Sequence, residues 1–532
     1  MKISDTKKQQ ESAWAPFQYP IFRMLWIASL VSSIGTWMQD VGSGWLMTSL
    51  TKDPFMVASI QATTSFAMFL LVLPSGALAD IVDRRRYLLL LQSLLMVAAG
   101  ALACTTYLDK TSPEFLLFMT FCLGSGAALS LPAWIALMSD LVNAKHLPYA
   151  VVLTSVSISI SRAMGPALAG IIIAASGPAA VFAINTLSFL GIIIVLKLSS
   201  IRKTNVSSLP AERLYGAMRA GLRYVGGSPA SQIVLIKACG FFIFASGVWA
   251  LLPLIARMKL QGGPLEYGLL LALLGFGAVI GAAILPYLRQ ALTCDQRILL
   301  GAVGFSITTF ILALSDHLLT ACCAITLGGL SWTTVFSTLA TLVQQIVPAW
   351  VRARVISIYY AIVFGSMSLG SLMWGWIGTH YSIGFALVCA ASGMLFINFL
   401  TYFIVSGENL ITDHTPSNNL PFPMVEEEPK YEAGPVMVMV EYLVDRGDVA
   451  NFTKAIKGLR RIRLRDGAFF WILYKDVENP TRLVECFMTE SWVEHLRQHE
   501  RMSVSDWKVQ DKISAFHKGE KPPIVTHFVA HS

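Results

Sequence analysis

The amino-acid sequence predicts an all-α membrane protein, with twelve transmembrane helices in two six-helix halves and a small C-terminal α+β domain. Three observations support this fold class. Of the 532 residues, 55% are hydrophobic and only 14% are charged, whereas soluble domains carry roughly 25% charged residues. Apolar stretches long enough to cross a bilayer recur up to residue 406. After that residue the composition becomes that of a linker and a soluble domain.

The membrane-spanning helices are predicted from the length of these apolar stretches. A helix that crosses a bilayer needs about 20 mostly apolar residues. Turn or charge signals such as Asp53-Pro54 and Ser176-Gly177-Pro178 separate the stretches. We predict helices at 22–50, 56–79, 87–107, 115–138, 151–175, 179–198, 232–256, 266–288, 297–315, 318–346, 355–377 and 383–405.

The division into two halves is predicted from an internal repeat. Residue pairs that are 205 positions apart carry the same residue type: Gly35 and Gly240, Gly76 and Gly281, Arg84 and Arg289, Gly165 and Gly370, Gly170 and Gly375. Glycine is common in membrane helices, so chance could supply one or two of these pairs. The shared spacing favours two homologous halves, which would hold a substrate site near the middle of the bilayer.

Charge placement predicts the orientation and the remaining domains. With the N-terminus inside, the inner loops are rich in Lys and Arg, and this asymmetry predicts that both termini are cytoplasmic. We predict an N-terminal tail at 1–20, a first half at 21–198, a connection at 199–231, a second half at 232–406, a linker at 407–434 and a C-terminal domain at 435–532.

The cytoplasmic connection contains an amphipathic pattern. Its apolar face carries Leu214, Met218, Leu222 and Val225, and the other side carries Arg213, Arg219 and Arg223. Such a helix is expected to lie on the inner membrane surface.

The C-terminal domain follows a β-α-β-β-α-β order, which is typical of ferredoxin-like folds. His495 and His499 are spaced i, i+4, as metal ligands on one helix face can be, and Trp492 lies beside them. No third ligand is evident, so the sequence predicts no metal site. Dimerisation or regulation is the favoured role of this domain, and a catalytic role of these three residues remains the alternative.

Two charged residues lie deep in predicted helices: Asp40 in the first and Arg162 in the fifth. A lone charge in hydrocarbon costs several kcal/mol, so each should face the interior and find a partner. Our hypothesis is that Asp40 is the group that binds the transported proton and that Arg162 keeps it ionised until substrate intervenes. A static structural ion pair is the alternative.

Candidate substrate contacts are aromatic and amide residues on the first, second, fourth, seventh and tenth helices: Trp37, Gln39, Gln61, Trp134, Phe241, Trp249, Trp332 and Gln344. Packing or lipid contact is the alternative for each. An aromatic, weakly polar cavity would suit a bulky amphipathic molecule. The chain has no nucleotide-binding motif and no basic stripe with interleaved aromatics, so we expect no ATP-driven transport, no nucleic-acid partner and no cofactor.

The segment from Gly76 to Arg86 resembles the loop signature of the major facilitator superfamily, G-x-L-a-D-x-x-G-R-R/K. The resemblance implies that Gly76 allows close helix approach and that Asp80, Arg84 and Arg85 belong to a charge network at the inner face. Asp83 departs from the motif, because it occupies the usual second glycine. A plain basic loop is the alternative interpretation.

Gly165, Pro166 and Gly170 resemble the superfamily's helix-five motif, which is associated with exporters that exchange substrate for protons. The resemblance implies a bent helix packed near the interface of the halves and favours export; a kink for packing alone is the alternative. The superfamily's common Arg in helix four is missing, and Thr120 and Cys122 occupy that neighbourhood.

Two further stretches, Thr36 to Asp40 and Val351 to Val355, resemble the enterobactin-exporter branch, and Glu490 to Arg501 resembles the tail of the transmembrane secretion effector family. The resemblance implies a bacterial inner-membrane exporter of siderophores, drugs or similar amphipathic compounds, coupled to protons. An importer or facilitator of the same architecture is the alternative. The tail also resembles small dimeric monooxygenase-like domains, which implies dimerisation or, as the alternative, a catalytic tail.

Overall fold

The computed structural model describes residues 14–143, 145–198, 214–404, 429–430 and 432–530. They fall into two compact units. The first contains the chain up to residue 210, 237–339 and 360–406, and the second contains 211–236, 340–359 and the chain from 407 onward. Residues 1–13 of the predicted N-terminal tail, the start of the connection with Arg213 and most of the predicted linker lie outside the described residues.

The helices before the tail closely follow the predicted segments. They are α1 Pro20–Leu50, α2 Pro54–Ile81, α3 Arg84–Tyr107, α4 Pro113–Asp140, α5 Leu147–Leu198, α6 Leu214–Gly227, α7 Pro229–Leu254, α8 Pro264–Ala291, α9 Cys294–Leu314, α10 Leu318–Gln345, α11 Arg352–His380 and α12 Ile383–Ile404. A π-helical turn, Ile255–Lys259, extends α7. Within the described chain, eleven helical segments are long and apolar enough to cross a membrane.

The stretch α5 is 52 residues long because it joins two of the predicted helices, 151–175 and 179–198, across a kink at the predicted turn. A straight helix of that length would measure roughly 78 Å, far more than the ~30 Å hydrocarbon core. Gly177 interrupts it with φ 76° and ψ 171°. This left-handed backbone suits glycine, and Pro178 follows it directly. The break predicted between the helices at 151–175 and 179–198 is therefore present, as a kink at Gly177 where two helices meet.

Side-chain caps explain why several helices begin where they do. Asp53 accepts a hydrogen bond from the N–H of Phe55 at the start of α2, and Ser112 does the same for Phe115 at the start of α4. Asp83 accepts from the N–H of Arg86 at 3.0 Å and caps α3. The residue that departs from the superfamily loop motif therefore has a local structural role, because a cap satisfies an otherwise unpaired N–H.

Glycines of the predicted repeat lie at equivalent helix contacts. A Cβ built on Gly170 of α5 would lie 2.9 Å from the Pro264 carbonyl oxygen, at the start of α8. A Cβ on Gly375 of α11 would lie 3.3 Å from the Pro54 carbonyl oxygen, at the start of α2. The contact of α5 with α8 thus has a counterpart in the contact of α11 with α2, as two homologous halves require.

The tail contains β1 Val436–Leu443, α13 Val449–Asp466, β2 Phe470–Lys475, β3 Arg482–Thr489, α14 Trp492–Arg501, α15 Val504–Ser514 and β4 Ile524–Val529. The strands form one antiparallel sheet in the order β2-β3-β1-β4. This is the predicted β-α-β-β-α-β order, with the second helical stretch divided at Ser503, which caps α15. Alternate β1 residues, such as Val438, are buried against Phe452 and Trp492.

Helix α6 and the segment before α11 pack against the tail within the second unit. Arg223 of α6 forms an ion pair with Glu494 of α14 at 3.2 Å. Tyr224 is buried, and the guanidinium of Arg465 lies 5.6 Å from its ring centre. The arginine side of the predicted amphipathic helix therefore contacts the tail, whereas Leu222 on its apolar side is exposed.

Candidate functional site

Two cavities of the first unit meet at Asp40. The larger, the N-half cavity, has a volume of about 260 Å³ and is lined by α1 to α5. The smaller, the interhalf cavity, has a volume of about 80 Å³ and lies between α1, α2 and α4 of the first half and α7 and α8 of the second. Asp40, Ser43, Thr64 and Thr120 line both cavities.

A stripe of small polar residues on α1 forms one wall of the N-half cavity. Its members recur at helical spacing: Ser29, Ser32, Ser33, Thr36, Gln39, Asp40 and Ser43. Side chains three and four positions apart share one helix face. Of this stripe, only Gln39 and Asp40 are predicted as site residues from the sequence. The recurrence of serine and threonine every three to four residues is the signal that could have identified the others.

Asp40 carries the only charge among the described residues that line either cavity. Its side chain is exposed rather than packed, so the carboxylate faces the cavity space. The part of the chain that the structure describes provides no ion-pair partner for it. The side chain is therefore open to a proton or to a substrate group.

Arg162 does not form an ion pair with Asp40 in this structure. Its guanidinium lies 5.5 Å from the ring centre of Trp37, and its buried Nε has no hydrogen-bond partner among the described residues. Trp37 precedes Asp40 by one helical turn and lines the interhalf cavity with it. Trp37 therefore lies close to both charged residues: its ring contacts the guanidinium of Arg162, and its side chain lines the same cavity as Asp40.

Five of the candidate substrate contacts lie at the cavities. Trp37, Gln61 and Trp249 line the interhalf cavity, and Gln39 and Trp134 line the N-half cavity. The Gln39 side-chain oxygen accepts a hydrogen bond from the amide of Asn185 at 3.0 Å, which fixes its orientation.

The structure does not bring the other three candidates to these cavities. Phe241 is buried, and its ring packs 6.0 Å from that of Trp332, which in turn lies 5.4 Å from Trp249. Gln344 is exposed and donates to the Ala340 carbonyl within α10. The aromatic and amide side chains of these three are of the same types as those at the cavities, so residue type alone did not separate the two groups.

The helix-five motif lies where helices approach closely. A Cβ on Gly165 would lie 3.1 Å from the Ile34 carbonyl oxygen of α1, and a Cβ on Gly268 of α8 would lie 2.6 Å from the Pro166 carbonyl oxygen. Gly170 faces Gly268 in the same contact. Small residues of this kind let membrane helices pack backbone to backbone.

The arginines of the loop motif bind within the first half. Arg84 forms an ion pair with Asp140 at the end of α4, with Nη1 and Oδ2 2.6 Å apart. Arg85 donates to the carbonyls of Leu196 and Lys197 at 2.7 and 2.8 Å. A Cβ on Gly76 would meet open space, and the side chain of Asp80 is outside the described residues.

Hydrogen bonds between the two halves occur at the opposite ends of these helices. Arg257, beyond α7, donates to the hydroxyls of Thr48 and Ser49 at the end of α1, both at 3.0 Å. Thr379, at the end of α11, donates to the Asp53 carboxylate at 2.5 Å. These hydrogen bonds therefore hold the two halves together at this end.

A third cavity lies in the tail, with a volume of about 560 Å³. His495 and His499 of α14 line it together with His527 of β4. The Nε2 atoms of His495 and His499 are 3.3 Å apart, and one ligand atom of each of the three histidines lies within 4.8 Å of the others. Trp492 packs against this group, with its ring 5.5 Å from that of His495.

The three imidazoles favour the neutral form. Burial lowers the pKa of His495 to about 3 and the pKa of His499 to about 4. Burial also lowers the pKa of His527 below its usual value. His527 follows the α14 pair by about thirty residues on a different element, so no local spacing revealed it. Pairing of β4 with β1, which sets His527 opposite Val438, brings it to the group.

Comparison with known proteins gives matches over most of the chain. The profile of the family described as transmembrane secretion effector matches residues 11–532. Enterobactin exporter EntS from Salmonella typhi is 23% identical over 389 residues, which cover 73% of this chain and 92% of the relative. The enterobactin exporter from Escherichia coli O1:K1 / APEC is 22% identical with the same coverage.

Solved transporter structures share the fold. The nucleoside transporter NupG superposes with a TM-score of 0.59 at 10% identity, covering 73% of this chain and all of that one. A bacterial homologue of the human lysosomal transporter Spinster, in an inward-facing and unoccupied conformation, gives a TM-score of 0.53 at 15% identity, covering 73% and 94%. At these identities the likeness shows the architecture alone.

Proposed function

The chain belongs to the transmembrane secretion effector family of the major facilitator superfamily, and on that premise we propose that this multi-pass secondary transporter exports an amphipathic small molecule from the bacterial cytoplasm in exchange for protons. Its relatives are named enterobactin exporters, which supports export and a siderophore-like or drug-like substrate. The single observation that carries the coupling proposal is the exposed carboxylate of Asp40 between two cavities whose described lining residues carry no other charge.

We further propose twelve membrane spans, with α5 supplying two of them. The left-handed backbone of Gly177 followed by Pro178 interrupts this 52-residue stretch, and each side of it is long enough to cross a bilayer. The other ten long helical segments then complete two sets of six.

The basic loops support an orientation with both termini in the cytoplasm of the cell. The end at which Arg257 and Thr379 bind across the halves would then face outward. Because hydrogen bonds join the halves at the outer end, the structure supports an inward-facing state, in which cytoplasmic substrate reaches the cavities. Rocking of the halves would break these bonds and expose Asp40 to external protons.

Coupling through Asp40 has a direct chemical basis. A proton and a cationic or hydrogen-bonding group of the substrate would compete for one carboxylate. Binding of either would release the other, which is the requirement for exchange. The serine and threonine stripe beside Asp40, together with Trp37 and Trp134, offers the mixed polar and aromatic surface that an amphipathic molecule needs.

The test is accumulation of labelled siderophores, macrolides and dyes in inverted membrane vesicles, with and without a protonophore. We expect accumulation that disappears when the gradient is collapsed. Asp40→Asn should abolish gradient-driven accumulation, whereas the control Asp316→Asn, which changes an exposed carboxylate between α9 and α10, should leave it unchanged.

Undiminished, gradient-driven accumulation in Asp40→Asn would exclude this carboxylate as the coupling group. Accumulation only in right-side-out vesicles would instead establish import, the alternative direction for the same architecture.

A further inference from the structure

We propose that His495, His499 and His527 form a binding site for one divalent transition-metal ion inside the tail. Two of these residues lie one turn apart on α14, and the third projects from β4. All three line the tail cavity. The site is separate from Asp40 and its cavities and adds a metal-dependent function to the tail of the transporter.

The distances suit a metal ion. Imidazole nitrogens bind zinc at about 2.0–2.1 Å, so two ligands of a tetrahedral ion lie roughly 3.3 Å apart. The Nε2 atoms of His495 and His499 have this separation, 3.3 Å. The candidate ligand atoms of the three histidines all lie within 4.8 Å of one another, so separations have to close by at most about 1.5 Å to complete the site.

The surroundings leave imidazole nitrogens available for a ligand. The Nε2 of His527 is buried and has no hydrogen-bond partner within the described residues. A buried polar atom without a partner costs about 1–3 kcal/mol, and coordination by a metal ion would remove this cost. Neutral imidazole is the form that binds Zn²⁺, Cu²⁺, Ni²⁺ and Fe²⁺.

The charge nearest to the histidines is paired with a buried carboxylate. Arg463 also lines the cavity, and a free guanidinium would repel a metal ion. Its Nε lies 3.4 Å from Oε1 of the buried Glu485, and the same carboxylate oxygen accepts a hydrogen bond from Trp471 at 2.8 Å. The carboxylate of Glu485 therefore opposes the Arg463 charge, although that charge still contributes to lowering the pKa of His495 and His499.

The cavity gives room for the rest of the coordination shell. Three protein ligands leave at least one position of a tetrahedral ion open. The volume of about 560 Å³ falls within the range of small-molecule sites. Val438, Val440 and Val525 contribute apolar wall. Water, or an oxygen donor of a small organic molecule, would complete the shell.

The alternative is a group of three rings that only pack. The ring centres of His495 and His527 are 4.8 Å apart, a normal aromatic contact distance, and the His495 and His499 nitrogens are also within hydrogen-bond range. Packing alone requires no metal and does not distinguish one divalent ion from another.

The experiment uses the full-length protein, purified in detergent and stripped of metal with a chelator. Zn²⁺ is titrated by calorimetry, and Co²⁺ is titrated while its visible absorption is recorded, because the bands report a nitrogen-ligated cobalt ion. We expect one equivalent of tight binding. His527→Ala should weaken it by at least ~100-fold, since loss of a direct ligand exceeds the 10–100-fold cost of losing a supporting group.

His317→Ala is the matched control, because His317 lies exposed between α9 and α10 in the other unit. Its affinity for Zn²⁺ should equal that of the unaltered protein. His499→Asn, at a partly buried position, is the second ligand variant, and circular dichroism and retained transport confirm that each variant is folded. Absence of stoichiometric binding, or equal affinity in folded His527→Ala and the unaltered protein, would overturn the proposal.

Discussion

Trp37 lies next to both Asp40 and Arg162. It lies one turn before Asp40, and the guanidinium of Arg162 lies 5.5 Å from its ring centre. A cation over an indole ring is stabilised by about 1–2 kcal/mol when water is excluded. This contact supplies part of the compensation that Arg162 needs in the absence of an ion pair with Asp40.

We predict that Arg162→Gln and Trp37→Leu are energetically coupled. Each substitution should lower the thermal midpoint of the protein in detergent, and the double variant should lose about 1 kcal/mol less than the sum of the two, because both remove one cation–π contact. Fluorescence-monitored unfolding provides the measurement. The control pairs Arg162→Gln with Trp134→Leu, whose effects should add; additivity in both pairs would show that the contact contributes nothing.

The sequence identified some of the residues at the cavities and missed others. Asp40 was identifiable because a carboxylate inside an apolar stretch demands a reason. Phe241 and Gln344 were equally plausible as cavity residues, since an aromatic or amide side chain suits a cavity and other helix positions alike. His527 could not be found at all, because only the pairing of β4 with β1 places it beside α14.

Among the helices, the contact of α5 with α8 depends on the absence of side chains. Gly170 and Gly268 face each other there, and a Cβ on Gly268 would lie 2.6 Å from the Pro166 carbonyl oxygen. A backbone atom has no rotamer through which to move away, so an added methyl group must separate the two helices.

We therefore predict that Gly268→Ala destabilises the protein by about 1–3 kcal/mol and lowers export. Gly191→Ala is the matched control, because a Cβ at that helical position would meet nothing within 4 Å; it should be neutral or stabilising by up to ~1 kcal/mol. Thermal unfolding and vesicle transport measure both variants. Equal behaviour of the two variants would contradict the proposed role of the close contact.

Most helix boundaries were predictable because strong local signals set them. Asp53, Asp83 and Ser112 precede apolar runs and cap the helices that follow. The break within α5 was predictable as well, and only its length was not. Ser176-Gly177-Pro178 is a turn signal, but only Gly177 departs from helical backbone angles, and the helix resumes directly after it.

For the whole molecule, the repeat predicted two halves but could not predict which end of them is closed. Alternative states of a transporter differ by only a few kcal/mol, and the same sequence encodes all of them. The hydrogen bonds of Arg257 and Thr379 across the halves are features of the one state that the structure describes.

We predict that a disulfide between Asp53→Cys and Thr379→Cys locks this state. The chain has eight native cysteines, so the pair is introduced after they have been replaced. Oxidation should stop export in vesicles and a reductant should restore it, because the two positions must separate when this end opens. Each single-cysteine variant serves as the control. Full export by the oxidised, cross-linked protein would show that the halves do not part here.

The glycine contacts of α5 with α8 and of α11 with α2 have a mechanical consequence. Interlocked side chains would have to disengage before two helices could turn on each other, whereas smooth backbone surfaces turn without that activation cost. At the two equivalent contacts, at Gly170 and Gly375, the helices would thus rotate against each other. In the proposed export cycle, these two contacts would fix the axis about which the halves rotate. The reversible hydrogen bonds at Arg257 and Thr379 would instead set how often the end that they join opens.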